Sequence, residues 1–314
     1  MVSTCLAITL GDPRGIGREV VSTALTDLQS SGGTLDFVLV GADGDDLGLG
    51  PYEAIGPFDG SESSAGAVSA AAIEHAVRLA LDGRVTGIVT APIHKPALRA
   101  AGLTDPGHTE MLQRLTGASE VGMLMIAEET TLGGPLRVLL ATTHVPLRDV
   151  PSLVTQNRLV SQTTLLSRSL SAEWGIQHPR IALCALNPHA SDRGLFGDEE
   201  RRIFSPAVVE LAASGIRITG PVPADTVFSR ALAGEFDAVV APYHDVGMAA
   251  FKTVSFGRGV NVTLGLPFVR TSPDHGTAFD LVGRGRADAS SMREAIRLAS
   301  RLAQNRFDTL ATRV

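Results

Sequence analysis

The sequence predicts an α/β protein built on a largely parallel sheet. Apolar runs of four to seven residues recur along the 314-residue chain with little apolar–polar alternation, the pattern of strands buried on both faces. Amphipathic helical stretches separate these runs, so strand and helix alternate. Hydrophobic residues make up 44% of the chain and charged residues 19%. That composition supplies a core and excludes a disordered chain. The length suggests about two domains.

The expected strands are 4–10 (TCLAITL), 36–40 (DFVLV), 86–91 (TGIVTA), 122–127 (GMLMIA), 136–142 (LRVLLAT), 180–186 (RIALCAL) and 237–241 (DAVVA). A first helix starts near Gly17 and places Val20, Val21, Ala24, Leu25 and Leu28 on one face. A second covers 66–82 and stops at Gly83, a good C-cap residue. Others cover 153–170 and 199–213, and the last starts after Ser291, with Glu294 completing a capping box. The stretch 42–66, rich in Gly, Asp, Ser and Pro, reads as an exposed loop region.

The net charge of −6 leaves no basic field, so nucleic acid lacks its usual electrostatic driver. No apolar run nears the roughly 18 residues that span a bilayer. The N-terminus reads as a strand rather than a signal peptide. Cys5 and Cys184 sit inside apolar runs and read as buried thiols of a reducing compartment, so a cytoplasmic protein is expected. Of 27 basic residues only Lys95 and Lys252 are lysines. An Arg-favouring genome accounts for the scarcity of lysine, not for the two that remain.

Three of the eight histidines share one architectural position. His144, His189 and His244 each follow the carboxyl end of an apolar run (LRVLLATTH, RIALCALNPH, DAVVAPYH). Ligands bind at that edge of open α/β sheets, and three imidazoles suit a catalytic divalent metal. Three unrelated loop histidines would give the same spacing. A second group is suited to an anion: Gly107-His108-Thr109-Glu110, then Lys252, Asn261, Arg270, Thr271, Ser272 and His275. Within 257–277, Asn261, Thr263 and Arg270 alternate with apolar residues in a strand-like run, although the Gly and Pro content also fits a solvated loop. The turn Gly11–Gly17 is neither GxGxxG nor a P-loop. A phosphate cradle or a tight strand-to-helix turn would explain it equally well.

The segments GDPRGIGRE, APIHK, GHTE, ATTHVPLRDV, NPHA, FGDEE, ADTVF, YHD, FGRGVNVTLGLPFVRTSPDHGTA and GRGRAD occur in this order between about residues 6 and 300. Together they resemble the 4-hydroxythreonine-4-phosphate dehydrogenase family of pyridoxal phosphate biosynthesis. The resemblance implies an isocitrate/isopropylmalate dehydrogenase-like fold, not a Rossmann fold, with two α/β/α lobes and a cleft between them. One lobe would combine 1–118 with 260–314. The other, 119–259, would carry the metal histidines and the dimer contacts.

It also implies a homodimer with an active site shared between subunits. The metal ligands fall on His144, His189 and His244, the third supplied by the partner. The substrate contacts fall on His108, Thr109, Lys252, Asn261 and Arg270. Asp245 is expected to orient a histidine or act as base. Lys95 is assigned to the same cleft, and Asp274, His275 and Gly276 to cofactor or loop organisation. The implied cofactors are NAD or NADP and one divalent metal (Zn, Mg, Mn or Co).

The implied reaction is oxidation and decarboxylation of 4-phosphohydroxy-L-threonine to 3-amino-2-oxopropyl phosphate. D-Erythronate or D-threonate 4-phosphate is the alternative substrate, a metal-dependent hydrolase the more remote reading, and a non-catalytic phosphometabolite binder a third. The chain departs from the family pattern at Val246, where Gln is usual, and at Asp12 and Arg14, where Glu and Ala are commoner. The retained GHTE and RTS segments argue against relatives that oxidise an aromatic dihydrodiol, which need no phosphate site.

Overall fold

The structure, a computed structural model, describes residues 4–32 and 35–311. Two compact units are present: Met1–Val121 with Val260–Val314, and Gly122–Gly259. The first part of unit 1 runs β1 (Cys5–Thr9), α1 (Gly17–Ser30), β2 (Asp36–Gly41), β3 (Tyr52–Ala54), α2 (Glu62–Leu81), β4 (Gly87–Thr90), α3 (Lys95–Ala100) and α4 (His108–Thr116). Unit 2 begins with β5 (Gly122–Ala127), β6 (Leu136–Leu140), α5 (Val150–Leu153), α6 (Gln156–Glu173) and β7 (Ile181–Cys184). A π turn (Glu200–Phe204) then leads into α7 (Ser205–Ala213), followed by β8 (Ile218–Val222), α8 (Ala224–Leu232), β9 (Ala238–Ala241) and α9 (His244–Ser255). The chain returns to unit 1 through β10 (Val260–Leu264), β11 (Val269–Pro273) and α10 (Ser290–Ala311).

In unit 1 the strand order is β3-β2-β1-β4-β11-β10. All neighbours are parallel except the β10–β11 hairpin. In unit 2 the order is β5-β6-β9-β7-β8, parallel except for β5–β6. The expected α/β class is present, and the sheet is mixed at these two antiparallel pairs.

Side chains alternate across a strand, and that alternation positions the chemistry. Ala7, Val40 and Ile88 pack with Ile73, Val77, Leu98 and Met111 of α2, α3 and α4. On β11, the Thr271 hydroxyl donates to the Ala295 carbonyl of α10. The preceding Arg270 therefore points to the opposite face of the sheet.

Several elements differ from expectation. The 42–66 region is not all loop: β3 pairs parallel with β2, and α2 begins at Glu62 because the Ser61 side chain caps the Ser64 amide. Ser291 is not an N-cap. It lies inside α10, and its hydroxyl accepts from the Asp274 amide at 2.9 Å. Asp288 instead accepts from the Ser290 amide at the helix entry. Cys184 is buried as expected, whereas Cys5 is only half-buried; both are free thiols. Among the described residues no helix is long and apolar enough to cross a membrane.

The Gly11–Gly17 turn has a packing explanation. A Cβ on Gly17 would lie 2.1 Å from the Leu10 carbonyl oxygen, so only glycine lets α1 start this close to the end of β1. Asp12 is buried, accepts the Arg14 amide at 2.9 Å, and holds the Arg14 guanidinium through bonds of 3.0 and 2.8 Å.

Candidate functional site

Arg270 is the largest fully buried side chain, 1% exposed. Strand β11 places it between β4 and β10, and each neighbour supplies a hydroxyl. Nη2 donates to Thr90 Oγ1 at 2.6 Å and Nη1 to Thr263 Oγ1 at 2.9 Å. Nε has no partner. Burial pushes the guanidinium down to about 9, which still leaves it cationic near neutral pH. A buried charge ordinarily needs an opposite charge. Neutral hydroxyls orient this cation without neutralising it, so its surroundings are suited to an incoming anion.

Further donors lie on the same face. His108 begins α4 and is partly buried, with Nε2 sealed from solvent and unpartnered. Burial, then the positive charges of Arg270 and Lys95, hold it well below its ordinary value, so the imidazole is neutral. Lys95 opens α3; its Cε would lie 3.3 Å from a Cβ placed on Gly107. Gly107 gives α4 no side-chain cap, so the positive end of the helix is left open for anion binding. Thr109 sits half-buried in the same first turn. Asn261, on β10, has a buried Oδ1 without a partner. Unit 1 thus brings Arg270 and Lys95 each within electrostatic reach of His108, with Thr109 beside His108 in the chain.

The three strand-end histidines all belong to unit 2, at the carboxyl ends of β6, β7 and β9. These strands are adjacent and parallel, with β9 between the other two. The rings of His144 and His244 lie 5.5 Å apart between centroids within one chain. His244 Nδ1 lies 2.7 Å from Asp245 Oδ1, an arrangement that would leave Nε2 as the nitrogen for a metal. Two imidazoles, one of them oriented by a carboxylate, fit a divalent cation. His189 is exposed, with its ring 6.4 Å from that of Phe196. Among the described residues no group of three or more His, Cys, Asp or Glu is close enough to hold a metal ion. Lys252 lies on α9, eight residues beyond His244 and so about 12 Å further along the helix axis.

In the 274–276 loop, Asp274 is tied to Ser291, and His275 Nδ1 lies 3.0 Å from the Gly276 carbonyl oxygen. His275 Nε2 is buried without a partner, and a Cβ on Gly276 would meet no protein atom within 4 Å. A sealed ring nitrogen beside open space suits a polar ligand such as a nicotinamide cofactor.

Two residues of these sites went unnoticed in the sequence. Thr90 lies near the end of the apolar run 86–91, a faint signal. Glu200 had none. It is 3% exposed and accepts from the amides of Leu186 and Asn187 and from the Asn187 side chain at 2.9, 2.7 and 2.9 Å. It also accepts from the Ser191 hydroxyl. Burial pushes its carboxyl up, but the hydrogen bonds from Asn187 and Ser191 prevail and hold it below the ordinary glutamate value.

The family described as pyridoxal phosphate biosynthetic protein PdxA matches residues 34–299. The 4-hydroxythreonine-4-phosphate dehydrogenase of Sulfurihydrogenibium sp. is 38% identical over 321 residues, 94% of this chain and 97% of that protein. A Bradyrhizobium diazoefficiens protein carrying the provisional name D-threonate 4-phosphate dehydrogenase is 41% identical over 96% of this chain and 98% of its own length. The crystal structure of 4-hydroxythreonine-4-phosphate dehydrogenase from Klebsiella pneumoniae aligns with a TM-score of 0.84 at 38% identity, covering 97% of this chain and 99% of that one. Isocitrate dehydrogenase from Methylococcus capsulatus, 14% identical with a TM-score of 0.56 over 98% of this chain and 88% of its own, shares the fold alone.

Proposed function

The chain belongs to the PdxA family of pyridoxal phosphate biosynthetic proteins, and from that premise we propose that it oxidises 4-phosphohydroxy-L-threonine with NAD(P)+. The secondary alcohol would be oxidised with the nicotinamide cofactor supplying the hydride acceptor, and the hydroxyl proton released. The resulting β-keto acid loses CO2 to give 3-amino-2-oxopropyl phosphate. The observation that carries this reading is the buried Arg270 cation, held only by hydroxyls and flanked by His108 and Lys95.

Arg270 and Lys95 supply positive charge to the substrate's anionic groups. His108, kept neutral, hydrogen-bonds them without adding a third charge, and Thr109 and Asn261 complete the polar lining. Lys252 is assigned to the substrate as well. His144, His189 and His244 would hold the divalent metal, which supplies Lewis acidity toward the alcohol oxygen and the new carbonyl. Asp245 holds the tautomer and direction of His244. Asp274, His275 and Gly276 would border the cofactor, which supplies the hydride acceptor. The protein works as a cytoplasmic homodimer, with unit 2 bearing the metal histidines and the subunit contacts. Family membership supports the dimer, and the two free thiols, Cys5 and Cys184, suit a reducing compartment.

The second reading keeps the same anion site with D-threonate or D-erythronate 4-phosphate as substrate. The name and 41% identity of the Bradyrhizobium relative favour it. Steady-state NAD(P)H formation with the three phosphates decides between them. The first reading expects the highest kcat/KM with 4-phosphohydroxy-L-threonine, and a higher value with either sugar-acid phosphate overturns it.

A further inference from the structure

We propose that Thr9 is a further binding residue of the anion site, its hydroxyl donating to the substrate's phosphate alongside Arg270, an inference that rests on the anion reading above. Thr9 is the last residue of β1 and is 0% exposed. Its Oγ1 has no hydrogen-bond partner. A buried hydroxyl left unsatisfied is destabilising. Valine has the same shape, suits a strand equally well and carries no such penalty. A threonine here is accounted for by an acceptor that arrives from outside the chain.

The strand register shows where that acceptor sits. Thr9 pairs with Thr90 across the parallel β1–β4 ladder, and Ala7 pairs with Ile88 two residues earlier. The Ala91 amide donates to the Thr9 carbonyl oxygen at 3.0 Å, so the two strands stay joined through this pair. Paired residues share a face, and neighbouring strands lie about 4.8 Å apart. The Thr9 hydroxyl is therefore one strand away from the Thr90 oxygen, which accepts from Arg270 at 2.6 Å. This is the face on which Ala7 and Ile88 pack with α3 and α4, the helices that open with Lys95 and His108. Thr9 Oγ1, Arg270 Nε and His108 Nε2 are thus three buried, unpartnered polar atoms on one side of one sheet.

The donor count suits an oxyanion. Thr90 Oγ1 is an acceptor toward Arg270, and a hydroxyl that accepts still has its own hydrogen to give. Thr9 adds a second hydroxyl hydrogen beside it. Phosphate offers several acceptor oxygens, and bonds to an ionised acceptor are the strong ones. Two hydroxyls supply those bonds without placing another positive charge next to the buried guanidinium.

The test uses the full-length protein with inorganic phosphate as the probe, read by calorimetric Kd and by the Tm of the phosphate-free protein. Thr9→Val should weaken phosphate binding about 10-fold or more, the worth of a hydrogen bond to a charged group. The same variant should melt no lower than the wild type without phosphate, because it removes an unsatisfied hydroxyl. Thr9→Ser should do the reverse, keeping the wild-type Kd while melting lower for want of a buried methyl group. A Thr9→Val protein that fails to fold, or melts lower than the wild type, would show the hydroxyl to be structural and overturn the proposal. Wild-type phosphate affinity in Thr9→Val, with affinity lost in Arg270→Met, would also overturn it and leave the anion reading standing. Wild-type affinity in Arg270→Met itself would overturn both.

Discussion

Arg270 on β11 donates to Thr90 on β4 at 2.6 Å, a bond between a buried cation and a neutral hydroxyl 180 residues away in sequence. Such a bond aims the guanidinium without discharging it. Arg270→Met should therefore raise KM for the phosphorylated substrate by about 30-fold or more, corresponding to about 2 kcal/mol for truncating a buried charged partner. The same variant should not lower Tm, because it removes an uncompensated buried charge. Inorganic phosphate should raise the Tm of the wild type and leave that of the variant unmoved. A variant that melts lower and keeps its KM would show that Arg270 is structural.

His108 makes stability depend on pH in a defined window. Its folded-state value lies well below the ordinary 6.5 because of burial, Arg270 and Lys95. Below 6.5 the unfolded chain takes up a proton that the folded chain refuses. The contribution is therefore full above 6.5 and drains as pH falls from 6.5 toward the folded value. Urea unfolding at pH 7.5 and pH 5 measures it. His108→Gln should flatten this part of the profile, and an unchanged profile would count against a neutral, sealed imidazole.

The 5.5 Å pair of His144 and His244 makes a prediction about subunits. Either alanine variant should fold and lose turnover, and thorough chelation should do the same to the wild type. Mixing the two variants, with subunit exchange confirmed, should restore nothing if both rings serve one ion within a chain. Recovery of activity would assign them to sites shared across the dimer. Asp245→Asn should weaken metal binding about 10-fold while leaving the fold intact.

Helix packing near the anion site is testable by a single methyl group. A Cβ on Gly66 of α2 would lie 1.9 Å from the Ala97 carbonyl oxygen of α3. Gly66→Ala should destabilise the protein by about 1–3 kcal/mol through overpacking. Because α3 opens with Lys95, KM for the phosphorylated substrate should rise as well. Unchanged melting would mean that the two helices can separate freely.

Much of this was legible because burial leaves a mark on composition. The seven apolar runs became strands, and the alternation of Asn261, Thr263 and Arg270 with apolar neighbours marked β10 and β11 despite their Gly and Pro content. The shorter helices were harder to see. α8 and α9 start after Pro223 and Tyr243, with no side-chain cap to signal entry. Ser291 carried the capping-box pattern but spends its hydroxyl on Asp274, a contact across 17 residues that no local rule contains. Glu200 is the extreme case: its meaning comes from partners 9 to 14 residues upstream in an irregular turn. Lys95 gained its neighbours only through the tertiary placement of α3 beside Gly107.

Unit 1 is interrupted by unit 2, and this has a consequence for biosynthesis. Thr90 leaves the ribosome well before Arg270; at about 5–20 residues per second the 180 intervening positions take roughly 9–36 s. During that interval β4 has no β11 beside it, and the contiguous unit 2 is completed before Arg270 is added. The anion cradle is therefore among the last features a nascent chain completes. A chain truncated before β10 carries every strand-end histidine and lacks Arg270.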